Sequence, residues 1–266
     1  MSIQSIENYL NQYKSAIVAL SGGVDSSLVA KVASDVFGAQ ALAVISASES
    51  LPESERQLAV EFCGQIGIAF REIKTEELRD ETYRANDGGR CFVCKTHLYR
   101  DLQALANSES YEIVIDGANA DDLTDYRPGR QAAKQHNVKS PLAELGISKS
   151  QVREMAKELQ LPNWAKPASA CLASRIPYGT EVTKEVLAQV EQAEEIMREA
   201  GFLQFRVRHH DSVARIEILP EQFARMMDSR ESITKQMKEL GYKFVSLDLD
   251  GFRSGSMNEL LVQISQ

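Results

Sequence analysis

Residues 21–27, Ser-Gly-Gly-Val-Asp-Ser-Ser, constrain the fold of this chain more than any other stretch. An apolar run at 17–20 precedes them, and apolar residues at helical spacing follow them over 28–36. This order predicts a strand, a glycine turn and a helix. Glycines let a backbone approach an anion closely, and a helix N-terminus favours negative charge. The segment therefore predicts a phosphate-binding loop.

The loop differs from the common nucleotide-binding loop G-x-x-x-x-G-K-[ST]. No lysine follows Gly23 until Lys31. Its spacing resembles instead the PP-loop, S-G-G-x-D-S, of ATP pyrophosphatases, which cleave ATP between the α and β phosphates. The alternative is a serine- and glycine-rich turn that only caps a helix. The resemblance implies that the loop holds pyrophosphate and that AMP is left on the substrate.

Composition limits the classes of function. With 38 acidic and 30 basic residues, the chain has a formal net charge of −8, which disfavours nucleic acid as a partner unless a local basic patch exists. No run of 18 apolar residues occurs, and residues 1–13 form a polar, amphipathic helix candidate, so we expect no membrane span and no signal sequence. We therefore expect a cytoplasmic protein.

Strands and helices alternate in the first part of the chain. The predicted strands are 17–20, 41–46, 68–73 and 112–116, and the predicted helices are 3–13, 25–37, 53–66 and 149–160. This alternation is typical of an α/β fold with a parallel sheet covered on both faces. Ligands of such sheets bind beyond the carboxyl ends of the strands. Residues 21–27, 46–50 and 117–122 should therefore converge on one site.

An irregular segment rich in proline, residues 161–180, separates two predicted domains. We place the boundary after it, which gives a PP-loop domain at 1–180 and a smaller α+β domain at 181–266. The predicted elements of the second domain are helical patterns at 183–200 and 220–240 and strands at 203–209, 213–219 and 242–248. We expect this domain to serve substrate binding and oligomerisation.

Polar residues follow two of the predicted strands. Residues 117–122 read Gly-Ala-Asn-Ala-Asp-Asp, and the oxygens of Asn119 and Asp121 suit a hydrated Mg²⁺; a polar turn is the alternative. Ser46 ends the second strand, where related folds seat adenosine. Arg56 either contacts a phosphate or is a solvated surface charge. The predicted ATP-binding residues are Ala19, Ser21, Gly22, Gly23, Asp25, Ser26, Ser27, Ser46, Arg56 and Gly117.

Three of the four cysteines are predicted to take part in the chemistry. Cys91 and Cys94 are three residues apart on a predicted helix, so both sulfurs lie on one face near its N-terminus. That position lowers thiol pKa values. Cys171 lies in the irregular segment, whereas Cys63 lies among apolar helix residues and is expected to be buried.

This cysteine pattern leaves three kinds of site open. A tetrahedral zinc site needs a fourth ligand, and a redox C-x-x-C pair needs no third cysteine. A [4Fe-4S] cluster on three thiolates leaves one iron open to an exogenous sulfide. Adenylation and sulfur transfer are consecutive steps of one reaction, so a PP-loop favours the cluster. We predict Cys91, Cys94 and Cys171 as cluster ligands, and Cys171 and Asp25 as catalytic residues.

Nearly the whole chain resembles the LarE family, the ATP-dependent sacrificial sulfur transferases that mature the lactate racemase cofactor. The matching segments are 21–27, 125–129, 174–180, 206–208, 214–217 and 247–255. The resemblance implies an adenine nucleotide α-hydrolase-like fold and a trimer-based hexamer. It also implies adenylation of a carboxylate of pyridinium-3,5-biscarboxylic acid mononucleotide, after which sulfur replaces AMP to give a thiocarboxylate for a nickel-pincer cofactor.

The family includes two ways of supplying the sulfur. In the sacrificial version, a single cysteine at the Cys171 position gives up its own sulfur and becomes dehydroalanine. Members that also have cysteines at the Cys91 and Cys94 positions resemble cluster-dependent transferases, in which catalysis can repeat. The resemblance therefore implies ATP, Mg²⁺ and a [4Fe-4S] cluster as cofactors. The implied partners are a small nucleotide substrate, sulfide or another sulfur donor, and further copies of the chain.

Arg206 and Arg208 alternate with apolar residues on a predicted strand, so the two arginines share one face. Two guanidinium groups suit a phosphate, and the family resemblance places the substrate phosphate there. A solvated sheet face is the alternative. We expect His209 and His210, which follow, to lie at the surface.

Three other functions remain open on the sequence. A PP-loop tRNA thiolase pairs the same loop with a comparable cysteine trio but needs an RNA-binding surface, which the net charge disfavours. An amidating PP-loop enzyme would leave the cysteines unexplained. A catalytically silent nucleotide-binding protein would not need Asp25, Asn119 and Asp121.

Overall fold

The computed structural model describes residues 2–123, 128–167 and 170–253. The chain divides into two compact units. The first consists of Met1–Glu77 and Cys91–Ser169, and the second of Leu78–Arg90 and Ala170–Gln266.

The second unit begins earlier than the predicted boundary after residue 180 and includes a separate segment, residues 78–90. Backbone hydrogen bonds explain this. The Gly179 N–H donates to the carbonyl of Asn86 at 3.0 Å, and the Val182 N–H donates to the carbonyl of Arg84 at 2.9 Å. The irregular segment around residue 179 therefore pairs with residues 78–90 within the second unit.

Ten helices occur in the described ranges. They are α1 Ile3–Leu10, α2 Val24–Phe37, α3 Glu53–Ile66, α4 Glu81–Arg84, α5 Arg90–Glu109, α6 Pro128–Gln135, α7 Pro141–Glu144, α8 Lys149–Glu158, α9 Lys184–Glu199 and α10 Phe223–Glu239. None of them is long and apolar enough to cross a membrane.

The first unit contains a four-stranded sheet. Its strands are β1 Ala16–Leu20, β2 Ala41–Ser46, β3 Ala69–Ile73 and β4 Ile113–Ile115. The spatial order is β3-β2-β1-β4, and every neighbouring pair is parallel. All residues of β1 and β4 are buried, which explains why each strand is a continuous apolar run. The predicted α/β fold is confirmed.

Helices cover both faces of this sheet. Val18 and Leu20 of β1 belong to one hydrophobic cluster, together with Leu28 of α2. Ile17, on the opposite face of the strand, belongs to another cluster with Leu102 of α5. Cys63 is fully buried in the first cluster, so its predicted packing role is confirmed.

The second unit contains a smaller, three-stranded sheet. Its strands are β5 Phe205–His210, β6 Val213–Ile218 and β7 Phe244–Leu247. The β5–β6 pair is antiparallel and the β6–β7 pair is parallel. Apolar residues of this sheet share a core with residues of α9 and α10, including Met197 and Ile233. The predicted smaller α+β region is confirmed.

The surface location predicted for His209 and His210 is wrong. His209 is only 4% exposed, and its Nδ1 lies 3.3 Å from the hydroxyl of Tyr242. The Nε2 of His210 is buried as well. Burial lowers the pKa of both imidazoles. His209 is therefore buried and His210 half-buried, although successive side chains of β5 point to opposite faces.

Candidate active site

The loop between β1 and α2 depends on two glycines. Gly22 has φ of +73°, a left-handed conformation that favours glycine. A Cβ on Gly22 would lie 3.4 Å from the Cβ of Ala59 and from the carbonyl oxygen of Glu55. Gly23 is the extended residue immediately before α2. The loop can therefore turn sharply while lying close to α3.

Serine hydroxyls and one distant asparagine brace this loop. The Oγ of Ser26 accepts a hydrogen bond from the N–H of Ser21 at 3.2 Å and lies 3.1 Å from the Ser21 hydroxyl. Asn163 donates through Nδ2 to the carbonyl of Gly22 at 3.1 Å and to the Ser27 hydroxyl at 2.8 Å. Asn163 belongs to no motif, so no local signal in the sequence marks it.

The carboxylate of Asp25 joins the loop to two other parts of the first unit. Its Oδ1 accepts from Nδ2 of Asn119 at 3.1 Å, and its Oδ2 contacts the ammonium group of Lys149. Asp121 accepts through Oδ2 from the N–H of Lys149 at 2.9 Å. The structure thus brings Asp25, Asn119 and Asp121 together. It adds Lys149, which sequence periodicity identifies only as a residue of α8.

The end of β4 lies against the first turn of α2. A Cβ on Gly117 would lie 2.5 Å from the backbone nitrogen of Ser26, so no other residue fits without a shift of backbone. Asp116, the residue before Gly117, helps to hold the end of β4 in this position. It accepts hydrogen bonds from the hydroxyls of Tyr99 at 2.6 Å and Ser140 at 2.7 Å. Burial, reinforced by Asp116, raises the pKa of Tyr99 well above its usual range.

Three other predicted ATP-binding residues have different surroundings. Ala19 is 8% exposed and belongs to a hydrophobic cluster, so it can offer ATP only backbone groups. The Ser46 hydroxyl lies 2.9 Å from that of Thr75. The Arg56 guanidinium pairs with Glu53 and Glu72, each at 2.5 Å, and these bonds raise its pKa. A phosphate contact by Arg56 would have to replace these ion pairs.

No group of three or more His, Cys, Asp or Glu side chains within the described ranges is arranged to hold a metal ion. Asn119 is buried, and both ends of its amide make hydrogen bonds. Asp121 is exposed, and Lys149 links it to Asp25. The backbone N–H of Lys149 donates to Asp121, and its ammonium group contacts Asp25. These carboxylates are hard oxygen ligands, which suit a Mg²⁺ ion otherwise bound by phosphates and water.

The three predicted cluster cysteines are accessible. Cys91, which is exposed, lies in the first turn of α5, and Cys94, which is half-buried, lies one turn later; both belong to the first unit. Cys171 is exposed in the second unit, just before a 3-10 turn. None of the four cysteines, all of which are described, forms a disulfide. Burial raises the pKa of the Cys63 thiol to about 11.

Arg206 and Arg208 lie on the polar side of β5, but this side is not a solvated surface. Arg208 is 5% exposed and forms a bidentate pair with Glu217 on β6, at 3.0 and 2.8 Å. Arg175 is 2% exposed and forms a similar pair with Glu194, at 2.8 and 2.9 Å. The solvated-face alternative is therefore wrong for Arg208, because β6 places a carboxylate beside it.

Arg206 lies within the same charged network. Its guanidinium carbon is 5.0 Å from the ring centroid of Phe252. Burial, together with the positive charge of Arg175, lowers the pKa of Arg206 to about 10. The described members of the network are Arg175, Arg206, Arg208, Arg215, Glu194, Glu217 and Asp248. This set contains four arginines and three carboxylates.

Comparisons with known proteins cover both units. A family model described as NAD synthase matches residues 1–89. An uncharacterized protein of Synechocystis is 44% identical over 263 residues, 98% of each chain. The pyridinium-3,5-bisthiocarboxylic acid mononucleotide synthase of Lactiplantibacillus plantarum is 36% identical over 255 residues, 96% of this chain and 92% of that one. One subunit of the glutamine-hydrolyzing GMP synthase of Methanococcus vannielii is 26% identical over 221 residues, 76% of this chain and 66% of that one.

Proposed function

The chain belongs to the LarE family of ATP-dependent sulfurtransferases, and on that premise we propose that it transfers sulfur to pyridinium-3,5-biscarboxylic acid mononucleotide. ATP would first activate a carboxylate of the substrate, and sulfur would then replace AMP to give a thiocarboxylate for a nickel-pincer cofactor. The observation that carries the proposal is the similarity to the Lactiplantibacillus plantarum synthase over nearly the whole chain.

In the first half-reaction, a carboxylate oxygen of the substrate attacks the α-phosphorus of ATP. The bond between that phosphorus and the oxygen bridging to the β-phosphate breaks, and pyrophosphate leaves with the electron pair. Backbone N–H groups of residues 21–27 and the N-terminus of α2 would hold the departing pyrophosphate. Ser46 would adjoin the adenosine. Lys149, held at the loop by Asp25, would offset part of the negative charge.

We propose Mg²⁺ as a cofactor that binds here together with the phosphates of ATP. Asp121 and Asp25 would hold it together with the phosphates, and it would supply charge neutralisation for the triphosphate. Asn119 would act mainly by orienting Asp25 through the hydrogen bond from its amide. Gly117 would keep the end of β4 close enough to α2 for these groups to face the same loop.

In the second half-reaction, a sulfur nucleophile attacks the acyl carbon of the adenylate. The acyl C–O bond breaks, AMP leaves with the electron pair, and a thiocarboxylate remains. We propose that Cys91, Cys94 and Cys171 hold a [4Fe-4S] cluster, which supplies an open iron able to bind sulfide. The alternative source of sulfur is Cys171 itself, which would be consumed.

The substrate phosphate is proposed to bind at the charged network of the second unit. Arg206 and Arg208 lie on one side of β5, and their guanidinium groups suit a phosphate. The carboxylates of Glu194 and Glu217 already neutralise Arg175 and Arg208 in part. An incoming dianion would favour the charged form of Arg206, whose pKa burial lowers.

We test the proposal first by its nucleotide products. Substrate-dependent release of AMP and pyrophosphate is expected when the protein is incubated with ATP, Mg²⁺, the biscarboxylic mononucleotide and sulfide. Release of ADP and phosphate instead would contradict the PP-loop chemistry. Replacing both Arg206 and Arg208 by alanine should raise the KM for the mononucleotide and leave ATP binding unchanged.

The source of sulfur is tested separately. After anaerobic reconstitution, the protein should contain about four irons per chain and should turn over more than once with sulfide. Its mass should stay unchanged, and Cys63→Ala should retain the iron. Dehydroalanine at position 171 after a single turnover, in fully active protein without iron, would overturn the cluster and support the sacrificial route.

Assembly and location complete the proposal. Membership of the family suggests a homo-oligomer built from trimers in the cytoplasm. Light scattering of the purified chain measures the oligomeric state, and a monomeric mass at micromolar concentration would contradict it.

A further inference from the structure

The peptide group between Gly22 and Gly23 contacts a side chain 141 positions further along the chain. Asn163 donates through Nδ2 to the carbonyl of Gly22 at 3.1 Å and to the hydroxyl of Ser27 at 2.8 Å. All four residues belong to the first unit. A carbonyl oxygen only accepts hydrogen bonds, so the NH₂ end of the amide must face Gly22. The amide therefore ties the Gly22 carbonyl to the first turn of α2.

The hydrogen-bond ladder of α2 begins one residue after this carbonyl. The carbonyl of Gly23 accepts from the N–H of Ser27 at 3.0 Å and from the hydroxyl of Ser26 at 3.1 Å. The carbonyl of Gly22 accepts instead from the side chain of Asn163. Oδ1 of Asn163 is buried and has no hydrogen-bond partner among the described residues. The amide thus serves the loop through its donor end.

The two ends of this peptide group face different surroundings. The peptide is trans, so its C=O and its N–H point in opposite directions. The Gly22 carbonyl faces Asn163, and the N–H of Gly23 faces the hydroxyl of the exposed Ser21, at 3.4 Å. This orientation leaves an N–H group on the open side of the loop, where it can bind an anion.

Glycine at both positions makes the opposite orientation accessible. A half-turn of the peptide would move φ of Gly23 from −77° to about +100°, a region that glycine occupies readily and other residues avoid. The half-turn would also bring the Gly22 carbonyl to the open side of the loop. Its oxygen carries a partial negative charge, so it would repel an anion there.

We propose that Asn163 is a positioning residue for the phosphate loop: it prevents the Gly22–Gly23 peptide from turning over and keeps the Gly23 N–H directed at the pyrophosphate part of ATP. The inference rests on the proposed function, in which residues 21–27 hold the departing pyrophosphate. Two glycines let the backbone approach the anion closely, and the amide removes the orientational freedom that they introduce.

Binding measurements test the role of the amide. In Asn163→Ala, we expect the Kd for ATP and for inorganic pyrophosphate, measured by calorimetry, to rise about tenfold, because about one molecule in ten would keep the competent orientation. Asn163→Asp keeps the shape of the side chain but replaces the donor by a charged acceptor, so its effect should be larger. Asn8→Ala is the matched control. It removes an exposed contact with Gln4 on α1 and should keep the wild-type Kd.

A double-mutant cycle with Gly23→Ala separates this role from a general loosening of the loop. A Cβ on Gly23 would lie 3.5 Å from Oγ of Ser21, an ordinary contact, whereas the φ of the turned-over peptide is unfavourable for alanine. Gly23→Ala should therefore hold the peptide in place, whatever its own cost in affinity. In that background, Asn163→Ala should raise the Kd for ATP less than about threefold. The same rise in both backgrounds, or no rise in either, would overturn the inference.

A crystal structure of nucleotide-free Asn163→Ala protein separates the inference from the proposed function, since it requires neither ATP nor turnover. We expect the Gly22 carbonyl to lie on the open side of the loop in most molecules. If it does so but the wild type releases no AMP and pyrophosphate, the control of the peptide by Asn163 stands and the proposed function fails. If the wild type releases both products and the carbonyl keeps its orientation in the variant, the proposed function stands and the positioning role fails.

Discussion

The ammonium group of Lys149 contacts the carboxylate of Asp25, although the two residues are 124 positions apart in the sequence. Lys149 is the first residue of α8, a position where the helix dipole disfavours a cation. Ser148 and Gln151 cap that end reciprocally, which secures the helix start that presents the lysine. A loop without its own lysine thereby acquires a cation from a distant helix.

Replacing Lys149 by methionine should weaken ATP binding. The change removes the cation beside the loop but keeps the length of the side chain. We expect the Kd for ATP, measured by calorimetry, to rise about tenfold, which corresponds to ~1.4 kcal/mol. Lys31→Met is the control, because Lys31 pairs with Asp35 on the outside of α2. An unchanged Kd in Lys149→Met would show that the lysine only orients Asp25.

Gly117→Ala should destabilise the first unit. The added Cβ would lie 2.5 Å from the backbone nitrogen of Ser26, where no flexible side chain can give way. We expect the free energy of unfolding in urea to fall by about 3 kcal/mol, as for severe overpacking. The exposed helical Gly64, with no atom within 4 Å of its Cβ position, is the control. Gly64→Ala should stabilise the chain slightly; equal stabilities for the two variants would contradict the close approach of β4 to α2.

Glu194→Ala should cost far more stability than Glu195→Ala, although the two residues are neighbours on α9. Glu194 neutralises the buried Arg175 and accepts from the N–H of Val207, so its loss leaves a buried charge unpaired. We expect a loss of about 3–5 kcal/mol. Glu195 pairs with Arg198 at the surface, where a loss below about 1 kcal/mol is expected. Chemical denaturation of both variants measures the difference.

Stability should fall at alkaline pH because of Cys63. Burial raises its thiol pKa from 9.0 to about 11, so above pH 9 the unfolded state releases a proton that the folded state still holds. The free energy of unfolding therefore decreases between about pH 9 and pH 11. Cys63→Ala should remove this part of the decrease. Parallel stability profiles for the wild type and the variant over that range would contradict it.

Much of the fold could be predicted because it depends on local patterns. The helix over 53–66 coincides with α3, and the apolar runs at 17–20 and 41–46 identify β1 and β2 within one residue. The two short helices α6 and α7 carry too few turns to show an apolar period, so the pattern misses them. The position of Gly22 was also predictable, since a left-handed turn after a buried strand favours glycine.

By itself, the sequence determined the order of strands and helices, the phosphate loop and the resemblance to a family, because periodicity, turn chemistry and motif spacing are properties of neighbouring residues. Only the tertiary structure decided which distant side chains complete the site. Lys149 and Asn163 reach the loop because α8 and the segment after it pack beside α2. Arg208 is buried because β6 presents Glu217 to it. Such pairings follow from strand register and helix packing, which no local pattern encodes.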